Sequence, residues 1–114
     1  MNLNISERQM AGVTVLDLSG RLVLGEETST FRDRLKTLIS DGQKKILLNM
    51  ASVTYLDSSG LGALVAGYTT VSAQQGQLKL VNLNNKVHDL LRMTKLLTVF
   101  ETFDDERKAI GSFR

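Results

Sequence analysis

The stretch from Asp57 to Gly62 places a carboxylate, two hydroxyls and two glycines close together in the chain. It reads Asp-Ser-Ser-Gly-Leu-Gly and follows an apolar run, which predicts a turn from a strand into a helix. The first backbone N–H groups of a helix lack partners inside the helix. A serine or aspartate side chain can cap them, and a phosphate there is stabilised by the same N–H groups and by the helix dipole. An ordinary helix cap also explains the stretch, so local chemistry leaves both interpretations open.

The helix predicted after this turn carries no charge. Residues 58–78 contain no Asp, Glu, Lys or Arg, whereas a helix face in contact with water normally carries such residues. The side chains expected to point inward are Leu61, Leu64, Val65 and Tyr68. The opposite face is expected to carry Gly62, Ala63, Ala66, Gly67, Thr69, Thr70 and Ala73. Because interface cores are depleted in charge, this face predicts either docking of a partner or packing against another element of the domain.

Other features argue against catalysis. A hydroxyl nucleophile needs a base, and His88, the single histidine, lies off the apolar side of a different predicted helix. The Gly-x-Ser-x-Gly turn of hydrolases is absent, and one histidine with no cysteine cannot form a typical zinc site. The sequence Gly60-Leu61-Gly62 lacks the rest of a dinucleotide fingerprint and the lysine of a P-loop. We therefore expect no enzymatic activity, no metal and no cofactor.

The composition is typical of one small domain, which we expect to span residues 1–114. The net charge is +2 with acids and bases interleaved, so no basic face for nucleic acid is predicted. The absence of cysteine fits a reducing compartment. The N-terminus shows no signal-peptide pattern, and no apolar run approaches the roughly 20 residues of a membrane span. We expect a soluble cytoplasmic protein that contacts neither nucleic acid nor membrane directly.

The hydrophobic periodicity predicts an α/β fold with the order β-β-α-β-α-β-α-β-α. Strands are predicted at 2–7, 13–18, 45–50, 78–83 and 97–100. Helices are predicted from 25 to 40, from 58 to 73, from Asn84 or Asn85 to 94, and from 104 to 110. The first two strands are predicted to form a hairpin through a turn at Ala11-Gly12. Strands that alternate with helices imply parallel pairs joined by right-handed crossovers.

The stretch Asp57–Gly62 resembles the signature of STAS-domain anti-anti-sigma factors. Four other segments are similar to that family in order and spacing: Leu-Ser-Gly-Arg-Leu at 18–22, Ile-Leu-Leu at 46–48, Val-Thr-Tyr-Leu at 53–56 and Leu-Lys-Leu-Val at 78–81. The resemblance covers nearly the whole chain. Residues 23–27 match only loosely, which leaves the choice of partner open. The resemblance implies a mixed sheet of four to five strands with about four helices, mostly on one face.

The resemblance also implies a binding switch. Its partner would be an anti-sigma factor that is a Ser/Thr kinase with a histidine-kinase-like ATPase fold. The unmodified chain would bind this kinase and release the sigma factor, phosphorylation of Ser58 would switch binding off, and a phosphatase would restore it. Ser59 is the weaker acceptor candidate, and Asp57 either orients the Ser58 hydroxyl or caps the helix. The implied partner-binding residues are Asp57, Ser58, Ser59, Gly60, Gly62, Ala63 and Ala66.

Two further expectations concern how such a switch would work. A phosphate on Ser58 would block the interface with little refolding, because a partner would have to bury a dianion against a neutral surface. The family also suggests a monomer when free.

The alternative function is that of a STAS docking module that regulates a transporter, a lipid-transport ATPase or another signalling complex without using phosphorylation.

Overall fold

The computed structural model describes residues 3–114, and the described chain has the predicted order of strands and helices. The elements are β1 (Leu3–Met10), β2 (Val13–Leu22), α1 (Glu26–Ser40), β3 (Lys45–Leu56), α2 (Ser58–Ala73), β4 (Gln77–Val81), α3 (Asn85–Met93), a 3-10 turn (Leu96–Thr98), β5 (Thr102–Phe103) and α4 (Glu106–Gly111). The predicted α/β class is confirmed. Asn2, where the first strand was predicted to begin, lies outside the described residues.

The strands form one mixed sheet in the order β1-β2-β3-β4-β5. β1 pairs antiparallel with β2, and the remaining neighbours are parallel. The hairpin turns at Ala11 and Gly12, which both have positive φ (53° and 82°). Two consecutive residues of this kind match the twist of a tight hairpin. The parallel pairing brings the carboxyl ends of β2 and β3 together, with Leu22 opposite Leu56, whereas β4 ends opposite Asn49.

Helices cover the two faces of the sheet unequally, as predicted. The larger core lies on one face and includes Phe31 and Leu35 of α1, Leu64 of α2 and Leu91 of α3, packed on strand residues such as Leu48. A smaller cluster lies on the other face, where Ala109 of α4 packs on Val15, Leu47 and Val81. The first halves of β2 and β3 are therefore buried on both faces, which explains apolar runs such as Ile46–Leu48.

Lys79 of β4 is an unusual member of the second face because only 4% of it is exposed. Its Nζ donates hydrogen bonds to the carbonyl oxygen of Ser112 (3.0 Å) and to the Ser112 hydroxyl (2.9 Å). Nζ also lies 3.3 Å from a carboxylate oxygen of Glu101 and 4.8 Å from the centre of the Phe113 ring. A buried ammonium needs such partners to offset its desolvation. Lys79 therefore anchors the end of α4 to the sheet.

Arg8 of β1 ties the start of α4 to the same face. Its guanidinium lies 2.6 Å from a carboxylate oxygen of Asp17 and 2.9 Å from one of Glu106. The side chain of Asn49 donates to Asp17 as well, over 2.8 Å. The hydrogen bonds from Arg8 and Asn49 lower the pKa of Asp17, and those from Arg8 to both carboxylates raise the pKa of the guanidinium.

The predicted strands differ from the structure in their bounds: β1, β2 and β3 run on to Met10, Leu22 and Leu56, past the predicted ends at 7, 18 and 50. The predicted strand at 97–100 is wrong: Lys95 takes a left-handed conformation after α3, and the chain then forms a 3-10 turn in which Val99 N–H donates to the Leu96 carbonyl over 3.0 Å. Phe100 is buried and packs edge-on against Tyr68, and the strand that pairs with β4 comes later, at Thr102–Phe103. β4 also ends at Val81, earlier than predicted, because Asn82 has a φ of 62°.

Candidate functional site

Asp57 forms the junction between β3 and α2. It has extended backbone geometry (φ −99°, ψ −175°), and its Oδ1 accepts a hydrogen bond from Gly60 N–H over 2.8 Å. Its Oδ2 accepts from the backbone N–H of Leu24 over 3.0 Å, in the loop that follows β2. The hydrogen bonds from Leu24 and Gly60 lower the pKa of Asp57 because they stabilise its charged form. Asp57 therefore caps the helix, as one of the two interpretations predicted, and its carboxylate also holds the loop after β2.

Ser58 is the first residue of α2, and its side chain is exposed, whereas Ser59 is partly buried. Asp57 caps the N–H of Gly60, and Leu61 N–H begins the helical hydrogen bonds to the Asp57 carbonyl over 2.9 Å. A group added to the Ser58 hydroxyl would therefore lie at the positive end of the helix dipole, near backbone N–H groups. An added negative charge there is favoured by the helix dipole and opposed by the neighbouring Asp57 carboxylate.

Gly60 packs in the interior of the domain. It is buried, and a Cβ there would overlap the carbonyl oxygen of Leu22 at the end of β2 and the side chain of Leu56. Gly62 is exposed instead, and a Cβ there would meet nothing within 4 Å. The two glycines that looked alike in sequence therefore have different roles. Gly60 lets α2 start against β2, and its contact with a partner stays a prediction.

The buried side of α2 is broader than its apolar residues suggested. Ala63 and Gly67, which were expected on the outer face, are buried, and Leu64 and Val71 complete the buried set. A Cβ on Gly67 would overlap the side chain of Leu35, because α1 packs closely on this side of α2. Ala63 therefore packs in the interior, and its contact with a partner stays a prediction. Three residues expected to be fully inward, Leu61, Val65 and Tyr68, are only partly buried.

The exposed side of α2 is a stripe without charge. It runs through Ser58, Gly62, Ala66, Thr69 and Ala73, of which Ala66 is partly buried and the others are exposed. Their spacing of three and four residues places them on one side of the helix. We call these five residues the α2 stripe. Of the predicted partner-binding residues, the structure brings Ser58, Gly62 and Ala66 together on this stripe, with Asp57 and Ser59 at its end.

Two exposed apolar residues near this junction had not been singled out. Leu24 is 74% exposed, and its backbone is held by Asp57. Tyr55 is 52% exposed, and the guanidinium of Arg21 lies 5.6 Å from its ring centre. Neither exposure has a clear signal in the sequence: strict alternation along β3 would place Tyr55 on the same face as the buried Val53, and Leu24 is held through its backbone.

His88 belongs to a different part of the surface. It is exposed, and it lines a cavity of about 710 Å³ with residues that include Asn82 and Phe103, past the carboxyl ends of β4 and β5. Neither Asp57 nor Ser58 lines this cavity. Within residues 3–114, no three His, Asp or Glu side chains are grouped so that they could hold a metal ion. Among the described helices, none combines the length and the apolar character that crossing a bilayer requires.

Comparison with known proteins places these features in a family. The family model of the STAS domain matches residues 4–109. The chain is 31% identical over 112 residues to the anti-sigma F factor antagonist of Paenibacillus polymyxa, covering 96% of this chain and 94% of that protein. It is 28% identical over 101 residues to the anti-sigma-B factor antagonist of Bacillus subtilis, covering 89% of this chain and 91% of the relative.

Solved structures show the same fold. The Bacillus cell fate determinant SpoIIAA in its phosphorylated form superposes with a TM-score of 0.74 at 21% identity, over 95% of this chain and 97% of that one. The unphosphorylated form of SpoIIAA, an anti-sigma factor antagonist, superposes with a TM-score of 0.71 at 22% identity, over 95% and 96% of the two chains. Both forms of that protein therefore share the architecture described above.

Proposed function

The chain belongs to the STAS domain family, and on this premise we propose that it is an anti-sigma factor antagonist whose binding is switched off by phosphorylation of Ser58. The observation that carries the proposal is an exposed serine at the first position of α2, next to the capping Asp57 and at the end of the uncharged α2 stripe. Relatives that match nearly the whole chain bear the name of anti-sigma factor antagonist. The proposed role is that of a regulatory binding protein, not of an enzyme.

The partner in this proposal is an anti-sigma factor that is also a Ser/Thr kinase with a histidine-kinase-like ATPase fold. The unmodified chain binds this kinase and the sigma factor is released. The kinase then phosphorylates Ser58, and a phosphatase returns the chain to its binding form. The free chain acts as a monomer. The family resemblance supports the identity of this partner, and the exposed residues around Ser58 support the surface that it contacts.

The α2 stripe is suited to a partner because covering it removes no charge from water. Desolvating an ion at an interface costs free energy that a hydroxyl or an alanine methyl does not cost. Gly62 adds a position where a partner backbone can approach closely, since nothing fills the space beside its Cα. Leu24, held beside the stripe by Asp57, contributes an exposed apolar side chain to the same surface.

Phosphorylation of Ser58 acts on this surface by charge. A phosphate adds about −1.5 to −2 charges at neutral pH. A hundredfold loss of affinity requires only about 2.7 kcal/mol, and burying an unpaired dianion at an interface costs more than that. Since the phosphate lies at the positive end of α2, the fold of the chain stays as it is. The switch therefore works by blocking the interface.

A titration of the unmodified and phosphorylated chains with candidate partners tests the proposal. The candidates are the histidine-kinase-like anti-sigma factors encoded in the source genome, each prepared as a complex with its sigma factor. The unmodified chain is expected to bind one of them and release the sigma factor, and the phosphorylated chain is expected to bind at least about a hundredfold more weakly. Equal binding of both forms would refute the switch, and binding to none of them would refute the antagonist function.

A further inference from the structure

A groove lies between the carboxyl end of β3 and the first turns of α3. It has a volume of about 340 Å³ and is lined by Thr54, Tyr55, Leu56, Lys86, Val87 and Leu90. Asn84 joins its two walls, because its side-chain amide donates to the carbonyl of Val53 over 2.7 Å and its Oδ1 caps Val87 N–H over 2.9 Å. The groove is thus a fixed feature of the fold, and we call it the β3–α3 groove.

The β3–α3 groove is continuous with the candidate switch site. Leu56, which lines it, directly precedes Asp57 and Ser58 and packs against Gly60. The apolar surface also extends away from Ser58: Leu90 is partly exposed, and Met93, one helical turn further along α3, is 73% exposed. A partner that covers Ser58 is therefore close enough to use the groove as well.

Lys86 is the charged residue among those that line the groove, and the carboxylates of Asp57 and Asp89 lie next to the lining residues Leu56 and Leu90 in the chain. Arg21 adds a second cation, since its guanidinium lies over the ring of Tyr55, which forms part of the lining. An apolar groove bordered by two cations is complementary to an apolar side chain with carboxylates on either side. Buried apolar or aromatic anchors of this kind supply a large share of the binding energy at protein interfaces.

We infer that the β3–α3 groove binds an apolar side chain of the anti-sigma factor, from a segment whose carboxylates pair with Lys86 and Arg21. The inference rests on the proposed function and extends the contact surface beyond the α2 stripe. A second copy of this chain is a poorer occupant, because a two-fold contact at the groove would bring Lys86 and Arg21 of both copies together. A small polar ligand is also a poorer occupant, since Thr54 and Lys86 supply the few polar groups of the lining.

Two substitutions in the groove test the inference, each with a control on another part of the surface. Leu90→Glu places a carboxylate in the groove, and Met10→Glu makes a similar change at the β1–β2 turn, at the opposite end of β2. Lys86→Glu reverses an exposed charge at the groove, and Lys108→Glu does the same on α4, on the other face of the sheet. Because Lys86 is exposed, its variant reports on binding even if Leu90→Glu lowers the stability of the chain.

The measurement is calorimetric titration of each folded variant with the anti-sigma factor, with sedimentation of the free chains alongside. Leu90→Glu is expected to weaken binding about tenfold or more. Lys86→Glu is expected to weaken it about fivefold and to reduce its dependence on salt. Both controls should bind within about twofold of wild type, since surface changes outside an interface have small effects.

The outcomes separate the inference from the proposed function. If wild type binds and Lys86→Glu binds equally well at all salt concentrations, the inference is overturned while the antagonist function stands. If the free chain dimerises through the groove and Leu90→Glu makes it monomeric, the occupant is a second copy and the inference is again overturned. If wild type binds no anti-sigma factor, the proposed function is refuted, and so is the inference that rests on it.

Discussion

The carboxylate of Asp57 accepts a hydrogen bond from the backbone N–H of Leu24 over 3.0 Å, and so fixes the loop after β2 beside the first turn of α2. The same carboxylate caps the helix through Gly60 N–H. One side chain thus positions both Ser58, at the start of the helix, and the exposed side chain of Leu24. The surface around the candidate switch is assembled by this single residue.

Replacement of Asp57 by asparagine should loosen this arrangement. The amide keeps one acceptor oxygen, so it can serve either Gly60 or Leu24 but not both. We expect a lower midpoint of thermal unfolding and faster hydrogen exchange at Leu24, with a larger effect for Asp57→Ala. Because the folded-state pKa of Asp57 is lowered, its stabilisation is present above the ordinary value of 3.8 and is lost as the pH falls through the folded-state pKa.

The control for this comparison is Asp33→Asn, on the exposed side of α1. At pH 7 it should unfold like wild type, and the difference between wild type and Asp57→Asn should shrink well below pH 3.8. A variant Asp57→Asn that is as stable as wild type at pH 7, with unchanged exchange at Leu24, would contradict the structural role of Asp57.

Asp17 should be a second residue whose protonation lowers the stability of the fold in acid. Its hydrogen bonds with Arg8 lower its pKa in the folded state, so the unfolded chain binds a proton more readily than the folded chain. Stability therefore falls as the pH drops below the ordinary value of 3.8. Urea unfolding of Asp17→Asn is expected to show a lower stability at pH 7 and a weaker dependence on pH between 4 and 2. A slope equal to that of wild type would contradict this role.

The two glycines at the start of α2 should respond in opposite ways to alanine. Gly60→Ala is expected to destabilise the fold by about 3 kcal/mol or more, because its Cβ would overlap the Leu22 carbonyl, which is backbone and cannot rotate away. Gly62→Ala should stabilise the fold by about 0.5–1 kcal/mol, since the site is helical and open. Chemical denaturation of the two variants measures both changes in the free energy of unfolding. A Gly62→Ala variant that is less stable than wild type would contradict the structure.

Loss of the Lys79 ammonium should release α4 from the sheet. In Lys79→Met the Ser112 carbonyl loses its buried donor, which costs about 1–3 kcal/mol. We expect a lower free energy of unfolding and faster hydrogen exchange in residues 109–112, with little change in α2. Lys36→Met, an exposed position on α1, is the matched control and should leave both unchanged. Unchanged exchange in α4 of Lys79→Met would argue against its anchoring role.

The order of the elements and the start of α2 could be predicted because the signals for them are local. Asp57 caps a helix through its own side chain, and Asn84 does the same for α3. Apolar alternation and helical spacing need no knowledge of the rest of the chain. The family resemblance then added a partner and a role for Ser58, which local chemistry had left open.

The features that sequence missed depend on neighbours that are distant in the chain. Ala63 and Gly67 are small enough to lie on either side of α2, and packing against the rest of the domain buries them, with Leu35 of α1 against Gly67. Leu24 is positioned through its backbone N–H, which every non-proline residue has. The error at 97–100 arose because an apolar run fits a strand or a turn equally well, and the left-handed conformation of Lys95 leads the chain into a turn.

The most direct test of the switch is the intact mass of the chain after incubation with ATP and the cognate histidine-kinase-like anti-sigma factor. Wild type should gain one phosphate, Ser59→Ala should gain it too, and Ser58→Ala should gain none while still binding the kinase. A phosphate that persists in Ser58→Ala would contradict the assignment of the site. A tight complex that yields no phosphate on wild type would contradict the switch itself and indicate a docking module of the STAS family.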